Sequence, residues 1–425
     1  MYLLYSVLLA VAFAVSAPFY LWKGRGTGKY LRTLGDRMGR APRDMPPGGG
    51  PSIWIHAVSV GEVLAARVLV QPLKARLPGH RVFVSTTTLT GNAVARDTVR
   101  GADGVFFAPF DFTPPVNRVL DRLDPVLLVL METEIWPNLI HRARRRGVRI
   151  AIVNGRISPR SFPRYRWARP LLRHVLAEVD LFLMQADAHR DRVLAMGAPP
   201  ERVHVVGNLK YDALPEAETP PALRRALGQD GPAPPALWVA GSTVEGEEDA
   251  VLQAFTTLRR RHPRARLLIA PRHPERFAAV ADLVARRGLA CARRTALSAA
   301  GWTGGDVLVL DTLGELAQVY PLATLVFVGG SLADAGGHNV LEPAVAGRAI
   351  IVGPHMENFR EIAAAFLAED ALVQVRDAAG LMDTSIRLFD DAAARDAMGA
   401  RAQAIVARNR GALVRTVDAL AGLLP

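Results

Sequence analysis

Three acidic residues sit where carboxylates are costly. Glu62 follows the apolar, β-branched run 53-IWIHAVSV-60 and Gly61, and it opens a helical pattern. Glu132 and Glu134 follow the wholly apolar run 127-LLVLM-131. A carboxylate in the first turn of a helix complements the exposed N–H groups, a purely structural role worth well under ~1 kcal/mol when exposed. The same placement is expected to keep Glu62 ionised, and an ionised carboxylate can accept a proton from a substrate hydroxyl. Two acids at the end of a buried strand are costly unless paired or functional. Glu134 can cap the turn that Pro137 opens. Glu132 can hold a cation or polarise a reacting group.

Other segments carry complementary charge. Lys210 stands in 205-VVGNLKYD-212, either as a surface lysine or as a cation that neutralises a substrate or leaving group. The stretch 153-VNGRISPRSFPRYRWARPLLR-173 interleaves Arg156, Arg160, Arg164, Arg166, Arg169 and Arg173 with Phe162, Tyr165 and Trp167. It is a solvated basic face or, preferably, a surface for anionic headgroups or a phosphorylated lipid, since guanidinium donors bind phosphate in pairs. In the second half, 239-VAGSTVEGEED-249 has the pattern of a capping box. The segment 268-LIAPRHPERF-277 ends a strand at Pro271 and Arg272. In 310-LDTLGEL-316 a glycine turn precedes a helix. In 326-VFVGGSLADAGGHNVLEPAVAG-347 a glycine-rich loop opens a helix bearing His338, Asn339 and Glu342, an arrangement that favours phosphate and ribose. His338 and Glu342 have the i, i+4 spacing of a metal pair, but no third ligand is evident and no metal is expected. There is no D-x-D after a strand, no G-x-S-x-G and no P-loop.

These residues need strand ends to hold them. Strands are expected at 53–59, 82–87, 126–131, 149–154, 181–185 and 203–206, with helices between them, such as 62–77 and 189–196. Pro72 should kink the first helix or end it early. The segment 213–236 holds six prolines and few core residues, and reads as an interdomain linker that includes a short helix. Beyond it strands recur near 237–241, 266–271, 307–310, 325–328, 349–352 and 372–375. Alternating strands and helices imply parallel sheets covered on both faces, hence two α/β lobes with ligands at strand C-termini. The last helical pattern, 394–422, can return to the first lobe.

The chain has 425 residues, 50% hydrophobic and 22% charged, which suits two domains and excludes a long disordered chain. Its single cysteine excludes intrachain disulfides and cysteine-rich metal sites, and points to a cytosolic catalytic domain. A net charge of +12 favours an anionic partner. No nucleic-acid-binding signature is present. The uncharged run 2–22 is long enough to span a bilayer. Lys23, Arg25, Lys29, Arg32, Arg37 and Arg40 follow it and place the rest on the cytoplasmic side. A cleaved signal peptide fits poorly, as nothing basic precedes the run. Tyr20 and Trp22 would mark the interface, and Pro18 leaves open a helix that lies in it. The expected division is a membrane anchor at 1–22, a first domain at 23–212, the linker at 213–236 and a second domain at 237–425.

The strings HAVSVGE, METEIWPN, GNLKYD, PRHPERF, LGEL and GGHNVLEPA, in that order, resemble the 3-deoxy-D-manno-octulosonic acid (Kdo) transferases of lipopolysaccharide synthesis. The resemblance covers nearly the whole chain, and Ile135 and Val340 are conservative apolar departures. It implies the GT-B glycosyltransferase fold, two Rossmann-like lobes with an N-terminal membrane-anchor helix at the bacterial inner membrane. It implies CMP-Kdo as donor and the phosphorylated, acylated glucosamine disaccharide precursor of lipid A (lipid IVA) as acceptor. Glu62 would be the proton acceptor, with Glu132 and Lys210 stabilising the transition state. CMP would meet Pro271, Arg272, Leu313, Gly314, Glu315, Asn339, Val340, Leu341 and Glu342. Neither a metal nor a further cofactor is implied. Rival expectations are a heptosyl or N-acetylglucosaminyl transferase on a lipid acceptor, and a non-catalytic module that binds anionic lipid.

Overall fold

A computed structural model describes residues 1–24, 33–40, 49–214, 218–298 and 300–424, the side chains of 17–24 excepted. The chain forms two compact units, Met1–Ala213 with Asn409–Pro425, and Leu214–Arg408.

The first unit is built on a parallel sheet of β1 (Ser52–His56), β2 (Arg81–Thr86), β3 (Gly104–Phe107), β4 (Pro125–Met131), β5 (Arg149–Gly155), β6 (Leu181–Met184) and β7 (Val203–Val205). Their spatial order is β3-β2-β1-β4-β5-β6-β7. Strand β1 is buried along its whole length, as a central parallel strand covered on both faces must be. Successive side chains alternate between two cores. Trp54, Leu128, Leu130, Ile150 and Ile152 face the helices Thr113–Leu123, Pro137–Arg144 and Arg169–Leu176. Ile53, Ile55, Leu127 and Val129 face the helix Val60–Arg76 and the last helix, Ala412–Ala421.

That last helix explains how the chain end joins the first unit. The expected single helix over 394–422 is two, Ala392–Asn409 and Ala412–Ala421, broken at Gly411 with φ 89°. Asp212 accepts from the N–H groups of Gly411 at 2.7 Å and Leu413 at 2.8 Å, and Val417 and Leu420 enter the core.

The second unit repeats the plan with β8 (Leu237–Thr243), β9 (Arg266–Pro271), β10 (Cys291–Arg293), β11 (Val307–Val309), β12 (Leu325–Val328), β13 (Ile350–Val352) and β14 (Val373–Gln374), ordered β10-β11-β9-β8-β12-β13-β14. Every pairing is again parallel. Residues 218–236 are part of this unit rather than a free tether. Leu223 and Leu227 are buried, and the Trp302 N–H donates to the Ala226 carbonyl at 2.8 Å.

Three expectations are not matched in full. The short edge strands β3 and β10 escaped the sequence, because each is only three or four residues long. Pro72 does not end its helix, which continues to Arg76. The expected anchor at 1–22 is not supported as a membrane span: among the described residues no helix is long and apolar enough to cross a membrane. Residues Tyr2–Gly24 do form one helix, through Pro18, but its polar groups bind the domain. The Tyr2 hydroxyl donates to Glu178 at 2.7 Å and Tyr5 to Asp111 at 2.9 Å, while Phe13 packs edge-on against Phe110 and Phe112. Arg37, expected in the basic flank, is structural and lies over the Phe107 ring at 5.1 Å. Tyr20, Trp22, Lys23, Arg25, Lys29 and Arg32 lie outside the residues whose side chains are described.

Candidate active site

In an open parallel sheet, ligands gather at the C-terminal strand ends where the strand order reverses. In the first sheet that switch falls between β1 and β4. Glu62 follows β1, in the first turn of Val60–Arg76, and Glu132 and Glu134 follow β4. The fold thus brings the three carboxylates, separate in sequence, into one electrostatic cluster.

Glu62 is only 7% exposed. Its Oε2 accepts from the Val58 N–H and its Oε1 from the Ser59 hydroxyl, both at 2.8 Å. Burial pushes its carboxyl up to about 7, and the nearby charges of Glu134 and Glu132 push the same way, against those two hydrogen bonds. The expectation of a helix-end carboxylate that stays ionised left this burial out of account. Desolvation outweighs the helix terminus, and Glu62 exchanges its proton near neutrality.

Glu132 adopts a left-handed backbone, φ 53°, uncommon for a residue with a side chain. Its N–H donates to the Val153 carbonyl at 2.9 Å, and Arg156 Nε lies 3.4 Å from its carboxylate. Glu134 accepts from Trp136 Nε1 at 2.7 Å, and burial raises its carboxyl. Burial and, after it, the charge of Glu134 raise the Tyr165 hydroxyl, which places this aromatic of the arginine-rich stretch beside the cluster. Around it Arg160, Arg164, Arg166, Arg169 and Arg173 are exposed, as is Trp167.

Lys210 lies in the short turn Leu209–Tyr211, which packs on the helix Val60–Arg76. The turn is set by residues the sequence did not single out. Asn154, fully buried with φ 56°, accepts from the Leu209 N–H at 3.1 Å. Gln185 donates to the Asn154 carbonyl and accepts from Asn208, each at 2.9 Å, and Asn208 accepts from the Lys210 N–H at 3.0 Å. The signal available was the pair of amides at two strand ends, in VNGR and VGNLK.

The second switch point lies between β8 and β12. Arg272 leaves β9 with its N–H on the Thr243 carbonyl at 2.9 Å and its side chain exposed. His338 is pushed down to about 4 by burial and by the charges of Arg272 and His273, so the imidazole is neutral near pH 7. Among the described residues its Nε2 has no hydrogen-bond partner. Asn339 donates to Glu342 and accepts from the Leu341 N–H, both at 3.1 Å, and so opens the short helix Leu341–Val345, in which Leu341 is buried just after the buried Val340. Burial raises Glu342, against its bond to Asn339 and the charge of Arg272. Arg272, His338, Asn339 and Glu342 thus form one group next to the buried Pro271. Glu315 accepts from Arg294 at 3.0 Å and Thr312 at 2.6 Å, beside Gly314 with φ 85° and the exposed Leu313. Tyr320, just beyond, feels the charge of Glu342. Among the described residues no third metal-ligating side chain joins His338 and Glu342. Among the described residues, the cluster able to hold a metal is Asp334, His355 and Glu357, where His355 Nδ1 lies 3.5 Å from the Asp334 carboxylate.

Two parallel sheets with acids at one switch point and a cationic, glycine-rich rim at the other define a GT-B-like fold. The chain is similar to a solved glycosyltransferase from Rickettsia africae ESF-5, with a TM-score of 0.55 and 10% identity over 88% of this chain and 99% of that one. Residues 32–213 match the family model described as 3-Deoxy-D-manno-octulosonic-acid transferase (kdotransferase). The 3-deoxy-D-manno-octulosonic acid transferase of Bordetella pertussis is 38% identical, covering 94% of each chain. That of Haemophilus influenzae is 33% identical over 92% of this chain and 91% of its own. The chain belongs to the 3-deoxy-D-manno-octulosonic acid transferase family, and is a glycosyltransferase.

Proposed function

We propose that the protein transfers Kdo from CMP-Kdo to lipid IVA in lipopolysaccharide synthesis, by an inverting, metal-independent displacement at the cytoplasmic face of the inner membrane. The observation that carries the reading is Glu62, a carboxyl raised to about 7 at the switch point of the first sheet. A group poised there gives both the right ionisation state and the driving force for proton transfer. Glu62 takes the proton of an acceptor hydroxyl while that oxygen bonds to the anomeric carbon of Kdo. The bond from that carbon to the CMP phosphate breaks, CMP leaves with the electron pair, and the carbon inverts. Glu132 and Lys210 stabilise the charge that develops. Arg272 and the loop 336–339 meet the leaving phosphate, the task that an ion performs in metal-dependent relatives of this chemistry. The family relationship and the cationic rim support CMP-Kdo as donor. The exposed arginines at 160–173 support a phosphorylated acceptor.

The first test is CMP release from CMP-Kdo with and without lipid IVA, in wild type and Glu62→Ala. Release that needs the lipid and disappears in the variant is expected; lipid-independent release or an active variant would sink the assignment. Release should also survive EDTA.

The N-terminal helix supports the membrane part of the reading. Leu3, Leu4, Val7, Leu8, Val11 and Val15 are exposed along one stripe, opposite Tyr2 and Tyr5. That stripe suits a helix lying in the headgroup region of an anionic leaflet. The Leu8→Glu, Val11→Glu double variant should bind vesicles containing anionic lipid at least ~tenfold more weakly. Unchanged sedimentation with vesicles would remove the helix from this role.

A further inference from the structure

In a nucleotide-binding α/β sheet, the N–H groups at the switch point ordinarily face a phosphate. Here they face a side chain. Glu247 opens the helix Glu247–Arg259 after β8 and is fully buried. Its Oε1 accepts from the N–H groups of Ser331 at 3.0 Å, Leu332 at 2.8 Å and Ala333 at 3.2 Å. Its Oε2 accepts from Gly330 at 2.7 Å and Val244 at 3.0 Å. Five backbone donors converge on one carboxylate, four of them consecutive in the loop that leaves β12.

The cradle is closely packed at Gly329. A Cβ on Gly329 would lie 2.6 Å from the Thr243 Cα and 2.8 Å from Glu247 Oε2. The loop then carries the fixed geometry outward. The Gly330 carbonyl accepts from the Gly337 N–H at 2.6 Å, and a Cβ on Gly330, which has φ 67°, would lie 2.7 Å from the His338 ring. His338 and Asn339 follow directly.

We propose that Glu247 is a positioning residue: its carboxylate fills the anion cradle of the second switch point, holds the loop 330–339 in the shape the donor needs, and leaves the donor phosphate to Arg272. The idea rests on the donor assignment above, but its physical core is testable without it. A carboxylate bound by several N–H groups is worth more than neutral pairs, and removing it strands every donor at once.

The experiment uses the full chain as Glu247→Ala and Glu247→Gln, with folding checked by circular dichroism. Amide exchange is measured at residues 330–333, together with kcat and KM for CMP-Kdo, with and without added formate. Expected in Glu247→Ala is exchange faster by roughly tenfold to a hundredfold, a rise of that order in donor KM, and a smaller change in kcat. Formate, a free carboxylate, should restore both. Glu247→Gln, which keeps one acceptor oxygen but turns an NH₂ toward N–H donors, should fall between wild type and Glu247→Ala. Unchanged exchange, or no rescue by formate, overturns the proposal. A wild type that ignores CMP-Kdo overturns the donor assignment instead, and the exchange data still decide the role of Glu247.

Discussion

Glu62 and Glu247 occupy corresponding places in two copies of one architecture, each in the first turn of the helix after the strand at the switch point. Their fates differ because their partners differ. Glu247 receives five N–H groups, four from a loop that crosses to it. Glu62 receives one N–H and one hydroxyl from its own turn, and shares its space with two more acids. Burial alone penalises both carboxylates. Where the backbone supplies enough donors, the carboxylate becomes a structural joint. Where it does not, the unmet desolvation leaves a group that holds its proton until neutral pH, a property suited to a base.

The comparison breaks most sharply in turnover. Glu62→Gln should lower the rate of CMP release by about 10²–10⁴, the usual worth of one general base, with the circular dichroism spectrum unchanged. A variant within a few-fold of wild type would make Glu62 as structural as Glu247.

Stability should separate the pair by sign. The folded-state value of Glu62, about 7, lies above its ordinary 4.5. Its protonation therefore favours the fold, a contribution fully present below pH 4.5 and lost as pH rises through about 7. Near pH 8 the buried charge costs about 3 kcal/mol, so Glu62→Gln should unfold at higher temperature than wild type there, and not at pH 4.5. Glu247→Gln should be destabilised at pH 8 by about 1–3 kcal/mol, through stranded N–H groups. Thermal unfolding of both variants at the two pH values reads this directly. Equal signs at pH 8 would remove the distinction.

The two residues were unequally legible in the sequence. Glu62 stood out because an apolar strand, a glycine and a helix start bracket it. Most strands were placed from their apolar runs within a residue or two. Glu247 looked like an ordinary capping-box acid in STVEGEED, since its decisive partners lie over 80 residues away in the loop after β12. The same limit hid the Asn154–Gln185–Asn208 network that shapes the Lys210 turn. The N-terminal run was incompletely legible for a related reason. Hydropathy registers apolar side chains one by one, whereas Tyr2 and Tyr5 spend their hydroxyls on Glu178 and Asp111, and only the fold brings those partners near. Local patterns report which residues are buried; they do not report which distant donors meet them.

The smallest predicted effect tests why Glu62 is tuned. Its raised value comes first from burial, then in part from the charge of Glu134. Glu134→Gln removes that charge, while the amide oxygen can still accept from Trp136 Nε1. The ionised form of Glu62 should then be easier to reach. The acidic limb of the kcat/KM profile, expected near pH 7, should move to lower pH by about half a unit, which corresponds to ~0.7 kcal/mol. Raised ionic strength should shrink the shift little, because a buried pair is poorly screened. A limb that stays in place would leave burial and the charge of Glu132 as the causes of the tuning, and Glu134 as a hydrogen-bond acceptor for Trp136. A limb that moves to higher pH would mean that Glu62 is not the group titrating in the profile.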